Sequence, residues 1–479
     1  MKRYAVTFQP GNVTVQAEAG STLLQAQIAA GLRPDAPCGG KGTCGKCKVV
    51  VEGREVLACQ TTVDRDLTVI TEETRAANIL MEGKSIHLKP DGTDRYSVAF
   101  DIGTTTVVAY LLDGTSGQLL AQSSAMNPQG QYGADVISRI QHAMKEGGEM
   151  LSRCIRTAMT ELTEEVCKKA GIGVKEITAA AIVGNTAMHH LLLDIDPKPL
   201  VTPPYMPAVY DALELGEGCK ARILPNIAGF VGGDTVGCMV STRFDQVNEL
   251  TLLIDIGTNG EMVLGDKSRR IACSTAAGPA FEGAKISCGM RGAEGAVDHV
   301  RLENGVISHH VIGEGEARGL CGSGLLDLVA VLLDAGIIDE SGRMEDKQYR
   351  LCENVVLTQK DVREVQLAKA AIRAGVELLS EKLGVKVADI RQVYLAGAFG
   401  SYMNPASACR IGMIPQVLSD RITAIGNAAG EGAKLCALSR AEFAYSQNLA
   451  KHTEFLELAS LPNFQDCYVD ALEFEEEEA

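Results

Sequence analysis

Four cysteines stand in the pattern Cys38-x5-Cys44-x2-Cys47-x11-Cys59, with Gly39, Gly40, Gly42 and Gly45 between the first three. Thiolates this close together can hold an iron–sulfur cluster or a structural zinc ion. Zinc sites usually pair two short Cys knuckles, whereas a cluster needs a small-residue loop that wraps it closely and aims backbone N–H groups at its sulfurs. The spacing therefore favours a 2Fe-2S cluster. The chain has 15 cysteines in all, and the scattered remainder read as small buried hydrophobes in a reducing compartment.

A second chemistry is written twice. Asp101-Ile-Gly-Thr-Thr-Thr follows the apolar run Val98-Ala99-Phe100, and Asp255-Ile-Gly-Thr-Asn-Gly follows Leu252-Leu253-Ile254. A turn of this kind at the end of a buried strand suits phosphate: glycine lets N–H groups approach, threonine adds a hydroxyl, and Asp can hold a hydrated Mg²⁺. The candidates are Asp101 and Asp255, with Gly103, Thr104, Thr105, Gly257, Thr258, Asn259 and Gly260 on the phosphates. A third stretch, Val393-Tyr-Leu-Ala-Gly397-Ala-Phe-Gly400, reads as a strand ending in a turn where a base and ribose could lie against the bare backbone of Gly397 and Gly400. Asp234, after Gly232-Gly233, is open to two readings: an N-cap, or a carboxylate that orients a water or the Mg²⁺ shell. Asn185 is likewise open between helix capping and anion contact.

Stepping outward, residues 3–8 and 13–18 alternate as strands around Pro10-Gly11-Asn12, and Ser21 is placed to cap a helix running to Ala30. Strands at 48–52 and 67–71 follow the cysteine loop. This order resembles a β-grasp ferredoxin, although plant-type ferredoxins space their first cysteines Cys-x4-Cys-x2-Cys, one residue shorter. The expected domains are a 2Fe-2S ferredoxin-like domain at 1–72, a linker at 73–95, one α/β lobe at 96–248, a second at 249–440, and an extension with an acidic tail at 441–479. If flexible, the linker would have an r.m.s. span of roughly 27 Å. Thr358 and Asp361 have capping-box spacing for a helix to about Leu383, with Val362, Val365, Leu367 and Ala368 on its apolar face.

At 479 residues the chain needs more than one core. Its formal charge of -16 argues against nucleic acid and anionic membrane as partners. No apolar run has membrane-spanning length and no signal core follows Met1, so a cytoplasmic location is expected.

The twin turns and the later strand-Gly turn resemble the ASKHA superfamily of acetate and sugar kinases, heat-shock chaperones and actin. That resemblance covers about 96–440 and implies two ribonuclease-H-like lobes closing over Mg-ATP. Joined to the cysteine module, and with Asn127-Pro-Gln, Gly133-Ala-Asp135 and Gly184-Asn-Thr-Ala-Met, the chain resembles the ATP-dependent reductive activators of corrinoid proteins. The resemblance implies one-electron reduction of cobalt(II) to cobalt(I) in a corrinoid partner of a methyltransferase system. An external donor of flavodoxin or ferredoxin type would refill the cluster, and a homodimer is left open. Longer members of that family carry a larger segment between cluster and clamp than this chain does. The rival readings are an activator of the 2-hydroxyacyl-CoA dehydratase type and an ASKHA small-molecule kinase with a redox-sensing domain.

Overall fold

The computed structural model describes residues 2–32, 34, 36, 39–42, 45–71, 83, 88–133, 135–257, 259–283 and 285–475. Cys38, Cys44 and Thr258, together with most of the expected linker, lie outside them.

Alternation of apolar residues builds the first sheet. Val6 and Phe8 of the strand Arg3–Gln9 point inward to Leu23, Val49 and Val69. The five strands lie in the order Val13–Glu18, Arg3–Gln9, Leu67–Thr71, Lys48–Val51, Arg54–Leu57, with the first and last strands of the chain's module parallel at its centre. The strand Arg54–Leu57 was not expected. A two-residue turn creates it, with Glu52 at φ 50° and Gly53 at φ 77°, the left-handed pair that closes a tight hairpin. The helix Leu23–Ala29 is capped by Thr22, not Ser21: Thr22 and Gln25 exchange side-chain and backbone bonds, while the Ser21 hydroxyl donates to the Glu18 carbonyl at 2.6 Å.

The body contains one topology twice. The first lobe orders its strands Leu213–Leu215, Lys220–Ile223, Ile177–Gly184, Tyr96–Ile102, Thr106–Asp113, Leu119–Met126. In the second lobe the order is Ile422–Gly426, Gln392–Ala396, Thr251–Ile256, Gly260–Gly265, Arg270–Thr275, Glu454–Phe455. In each, the Asp-bearing strand is parallel to one neighbour and antiparallel to the other. This is the duplicated ribonuclease-H-like arrangement. Beyond 440 the helix Arg440–Lys451 packs on the first lobe's helix Gly233–Thr242 as well, whereas Glu454–Phe455 joins the second lobe's sheet and the helix Phe464–Asp470 packs on the helix Gln359–Leu383. That long helix is capped by Thr358 as expected, and Val362, Val365 and Ala368 are fully buried. Leu367 instead faces solvent, because a step of one or two residues from Val365 and Ala368 rotates it off the stripe.

The outer face of each sheet packs on its own helices. Between the sheets lies a shared core, where Ala99 and Tyr110 of the first lobe and Leu253 and Val263 of the second meet the helices Gly233–Thr242 and Ala428–Leu438. These two helices cross backbone to backbone: a Cβ on Gly432 would lie 2.1 Å from the Gly237 carbonyl oxygen. The described part of the inter-domain segment runs along the second of them. Gly83 N donates to Glu431 Oε1 at 3.1 Å, and Asp91 Oδ2 accepts from Arg440 N at 2.7 Å.

Candidate nucleotide cleft and cluster loop

Strand alternation aims both aspartates at the space between the lobes. Asp101 shares the phase of Ala99 and Asp255 that of Leu253, the residues that enter the shared core, while Ile102 and Ile256 turn to the outer cores. Each aspartate is met by a helix from the opposite lobe. Asn427 Nδ2 donates to Asp101 Oδ2 at 2.7 Å and lies 3.1 Å from the Tyr110 hydroxyl, while its Oδ1 caps the helix by accepting from Gly430 N at 2.7 Å. Cys238, on the first lobe's helix, lies 3.8 Å from Asp255 Oδ2. Asp234 is the second residue of that helix, whose cap is Gly232; its Oδ1 accepts from Thr235 N at 2.7 Å. It is therefore not the N-cap, and its side chain faces the other carboxylates.

Glu261 completes the cluster and was not foreseen. It sits directly across the antiparallel pair from Asp255 and accepts from the Ser274 hydroxyl at 3.3 Å. The one legible signal was a charged residue in an otherwise apolar strand. Burial, followed by mutual repulsion, lifts the pKa values of the cluster and so weakens its members as acids. Asp101 is pushed up to about 6 by burial against the Asn427 bond that opposes it, and Asp234 to about 6 by burial, with Asp101 adding repulsion. Asp255 rises to about 7 through burial and the charges of Asp234 and Asp101, and Glu261 rises well above the carboxylate range for like reasons. Such a group is short of a cation. Among the described residues no three His, Cys, Asp or Glu side chains converge to hold an ion directly.

The first turn is held rigidly. Gly103 N donates to Thr106 O at 2.8 Å, Asn127 Nδ2 to Gly103 O at 2.8 Å, and Arg139 Nη2 to Thr104 O at 2.5 Å. Arg139 is almost wholly buried, which lowers its pKa to about 10, and its place under the turn had no sequence signal. Of the two readings left open for Asn185, the structure shows the cap: its Oδ1 accepts from Met188 N at 2.9 Å, while its Nδ2 donates to Thr104 Oγ1 at 3.0 Å. Thr105 Oγ1 donates to Glu282 Oε2 at 2.8 Å, across the lobes. In the second turn Gly257 N donates to Asn259 O at 2.9 Å, and Gly260 opens the return strand. Gly397, at φ 84°, brings the third loop onto this turn: a Cβ there would meet Asp255 Oδ1 at 2.8 Å. Gly400 is buried in the short helix Gly397–Tyr402, where a Cβ would press on Leu395 at 3.3 Å. Phe399 stacks on Phe281 with centroids 4.6 Å apart.

In the cysteine loop, Cys47 and Cys59 are buried side by side on neighbouring strands' ends, where Ala58 N donates to Cys47 O at 2.7 Å. Gly39, Gly40, Gly42 and Gly45 all have left-handed φ, and a Cβ on Gly40 would come within 3.8 Å of Cys59 Cβ. Successive left-handed glycines turn backbone N–H groups into a concave nest, which suits the sulfides of a 2Fe-2S cluster. The remaining cysteines are mixed: Cys238, Cys273 and Cys436 are buried, whereas Cys219 is exposed, so not all of them are core fillers.

Residues 6–67 match the 2Fe-2S iron-sulfur cluster binding domain, 96–247 the RACo middle region, and 249–479 the C-terminal domain of RACo, the ASKHA domain. The corrinoid activation enzyme RamQ of Eubacterium limosum is 34% identical over 92% of this chain and 94% of its own. The chain belongs to the RACo family. The [Co(II) methylated amine-specific corrinoid protein] reductase of Methanosarcina barkeri is 26% identical over 79% of the chain and 77% of its own. A solved structure, the reductive activator for corrinoid,iron-sulfur protein, superposes with a TM-score of 0.71 and 30% identity over 98% of both chains. Membership makes this RACo-family chain an ATP-dependent redox enzyme, with a 2Fe-2S domain ahead of an ASKHA domain. No helix among the described residues is long and apolar enough to cross a membrane.

Proposed function

We propose that this chain reduces cobalt(II) to cobalt(I) in a corrinoid protein of a methyltransferase system, one electron at a time, at the expense of ATP. The observation that carries this reading is the union of a cluster module and a two-lobed ATP clamp in one chain, matched across 92% of its length by a corrinoid activation enzyme. When bound, the 2Fe-2S cluster supplies a one-electron store, held by Cys38, Cys44, Cys47 and Cys59. A donor of flavodoxin or ferredoxin type refills it, and the setting is cytoplasmic.

The chain's own residues divide the nucleotide work. Gly103, Thr104 and Thr105 receive phosphate from one lobe, and Gly257, Thr258, Asn259 and Gly260 from the other. Asp101 and Asp255 orient the water shell of Mg²⁺, whose charge also relieves their repulsion. Asp234 takes the proton from the attacking water as it adds to the γ-phosphorus, releasing ADP and phosphate. Gly397, whose missing side chain lets the third loop close on the second turn, lies beside the nucleoside. Each 59 mV of uphill electron transfer costs about 1.4 kcal/mol, so closure must favour the corrinoid state that is easier to reduce. The test is the ATPase rate with and without a cobalt(II) corrinoid protein from the same organism. Stimulation supports the reading; an unchanged rate beside phosphorylation of a small metabolite would contradict it.

A further inference from the structure

The cluster loop touches both lobes at the mouth of the cleft. Lys46, the residue before Cys47, donates its ammonium to the Gly289 carbonyl of the second lobe. On the other side, a Cβ built on Gly39 would lie 3.9 Å from Gly133 Cα of the first lobe. The redox module is thus seated on the clamp through its cluster-bearing edge, not through its sheet.

The seat on the second lobe is wired to the first phosphate turn through contacts that leave little slack. Glu282, which accepts the Thr105 hydroxyl, is followed by Gly283. Gly283 packs backbone to backbone on the segment bearing the seat: its Cβ would meet Met290 O at 2.5 Å, and a Cβ on Gly289 would meet Gly283 O at 2.2 Å. Met290 N donates to Leu320 O and Leu320 N to Cys288 O, both at 2.8 Å, so Cys288 to Met290 move as one piece. Any displacement of Glu282 is passed to the carbonyl that Lys46 holds.

A nucleotide displaces Glu282 on electrostatic grounds. Phosphate arriving at Thr104 and Thr105 brings its negative charge close to the Glu282 carboxylate, and that repulsion is the drive. We propose that the Lys46–Gly289 contact is a latch for the redox module, and that occupation of the first phosphate turn opens it by driving Glu282 away from Thr105. The latch rests on the nucleotide-clamp reading and adds to it a reason for ATP beyond remodelling the partner. The cluster edge is shielded while the clamp is empty and presented once it is loaded.

The test is acetylation footprinting of the cluster-loaded, oxidised full chain, with Lys46 read by mass spectrometry and the exposed Lys48 as internal standard. Calorimetry on the same samples reports Mg-ADPNP binding. Bound nucleotide should raise Lys46 labelling at least about threefold while Lys48 stays constant, and Glu282→Gln should keep binding but lose the response. The Gln carbonyl can still accept from Thr105 without repelling phosphate. Binding with unchanged Lys46 labelling, or an unaltered response in Glu282→Gln, overturns the latch. Absence of binding would overturn the clamp reading beneath it.

Discussion

Asn427 Nδ2 and Asp101 Oδ2 lie 2.7 Å apart, although 326 residues separate them in the chain. The bond ties the cap of a second-lobe helix to the leading carboxylate of the first-lobe turn. Cys238 at Asp255 makes the complementary reach in the opposite direction. The packing of the two lobes and the environment of the carboxylates between them are therefore coupled.

Asn427→Ala removes a helix cap and the neutral donor to Asp101 together. It should cost about 1–3 kcal/mol in unfolding by urea. It should also raise the Asp101 pKa further, weakening Mg-ADPNP binding most at pH 6. Calorimetry at pH 6 and pH 8 checks this; equal losses at both would argue against an electrostatic role.

Nucleotide affinity should depend on pH in a defined direction. Asp101 and Asp234 titrate near 6 and Asp255 near 7. A hydrated Mg²⁺ is held by their ionised forms, so affinity for Mg-ADPNP should climb about tenfold or more from pH 5.5 to 7.5 and then level off. A flat profile over that range would show that these carboxylates do not face the metal.

The same shifts carry a stability cost. Burial raises Asp255 from 3.8 to about 7 in the folded protein, so its neutral form favours folding. That contribution is complete below about pH 4 and is lost as pH rises through about 7. Asp255→Asn should make the nucleotide-free protein more stable at pH 8, on the order of 2 kcal/mol, while abolishing Mg-nucleotide binding. Thermal scans at pH 5 and pH 8 separate the two effects. A gain of equal size at both pH values would point to packing rather than charge.

The crossing of Gly237 and Gly432 leaves no space for a methyl group. Gly432→Ala should force the two inter-lobe helices apart and destabilise the body by about 1–3 kcal/mol, leaving the visible spectrum of the cluster unchanged. Cys59→Ser should do the reverse, losing the cluster spectrum and keeping Mg-ADPNP binding.

What the sequence revealed was local or repeated. The cysteine spacing, each of the twin Asp-Ile-Gly-Thr turns and the Thr358 capping box lie within about two dozen neighbouring residues or fewer, where type and spacing carry the chemistry. Glu261, Glu282, Asn427 and Arg139 escaped because their roles arise from pairings across strands or lobes. Asn427 stands in Gly426-Asn-Ala-Ala-Gly430 and Glu282 in Gly278-Pro-Ala-Phe-Glu-Gly283, glycine-rich stretches that by themselves mark only turns. The Ser21 cap was misplaced by one residue because Ser21 and Thr22 are both good caps, and only the partner Gln25 decides between them.

The most direct measurement of the central claim is the visible spectrum of a cobalt(II) corrinoid protein mixed with the pre-reduced, cluster-loaded chain, with Mg-ATP and without it. The account predicts cobalt(I) absorbance in the sample with Mg-ATP and little or none in the sample without. Equal cobalt(I) in both samples would contradict ATP coupling, and none in either would contradict corrinoid reduction by this chain.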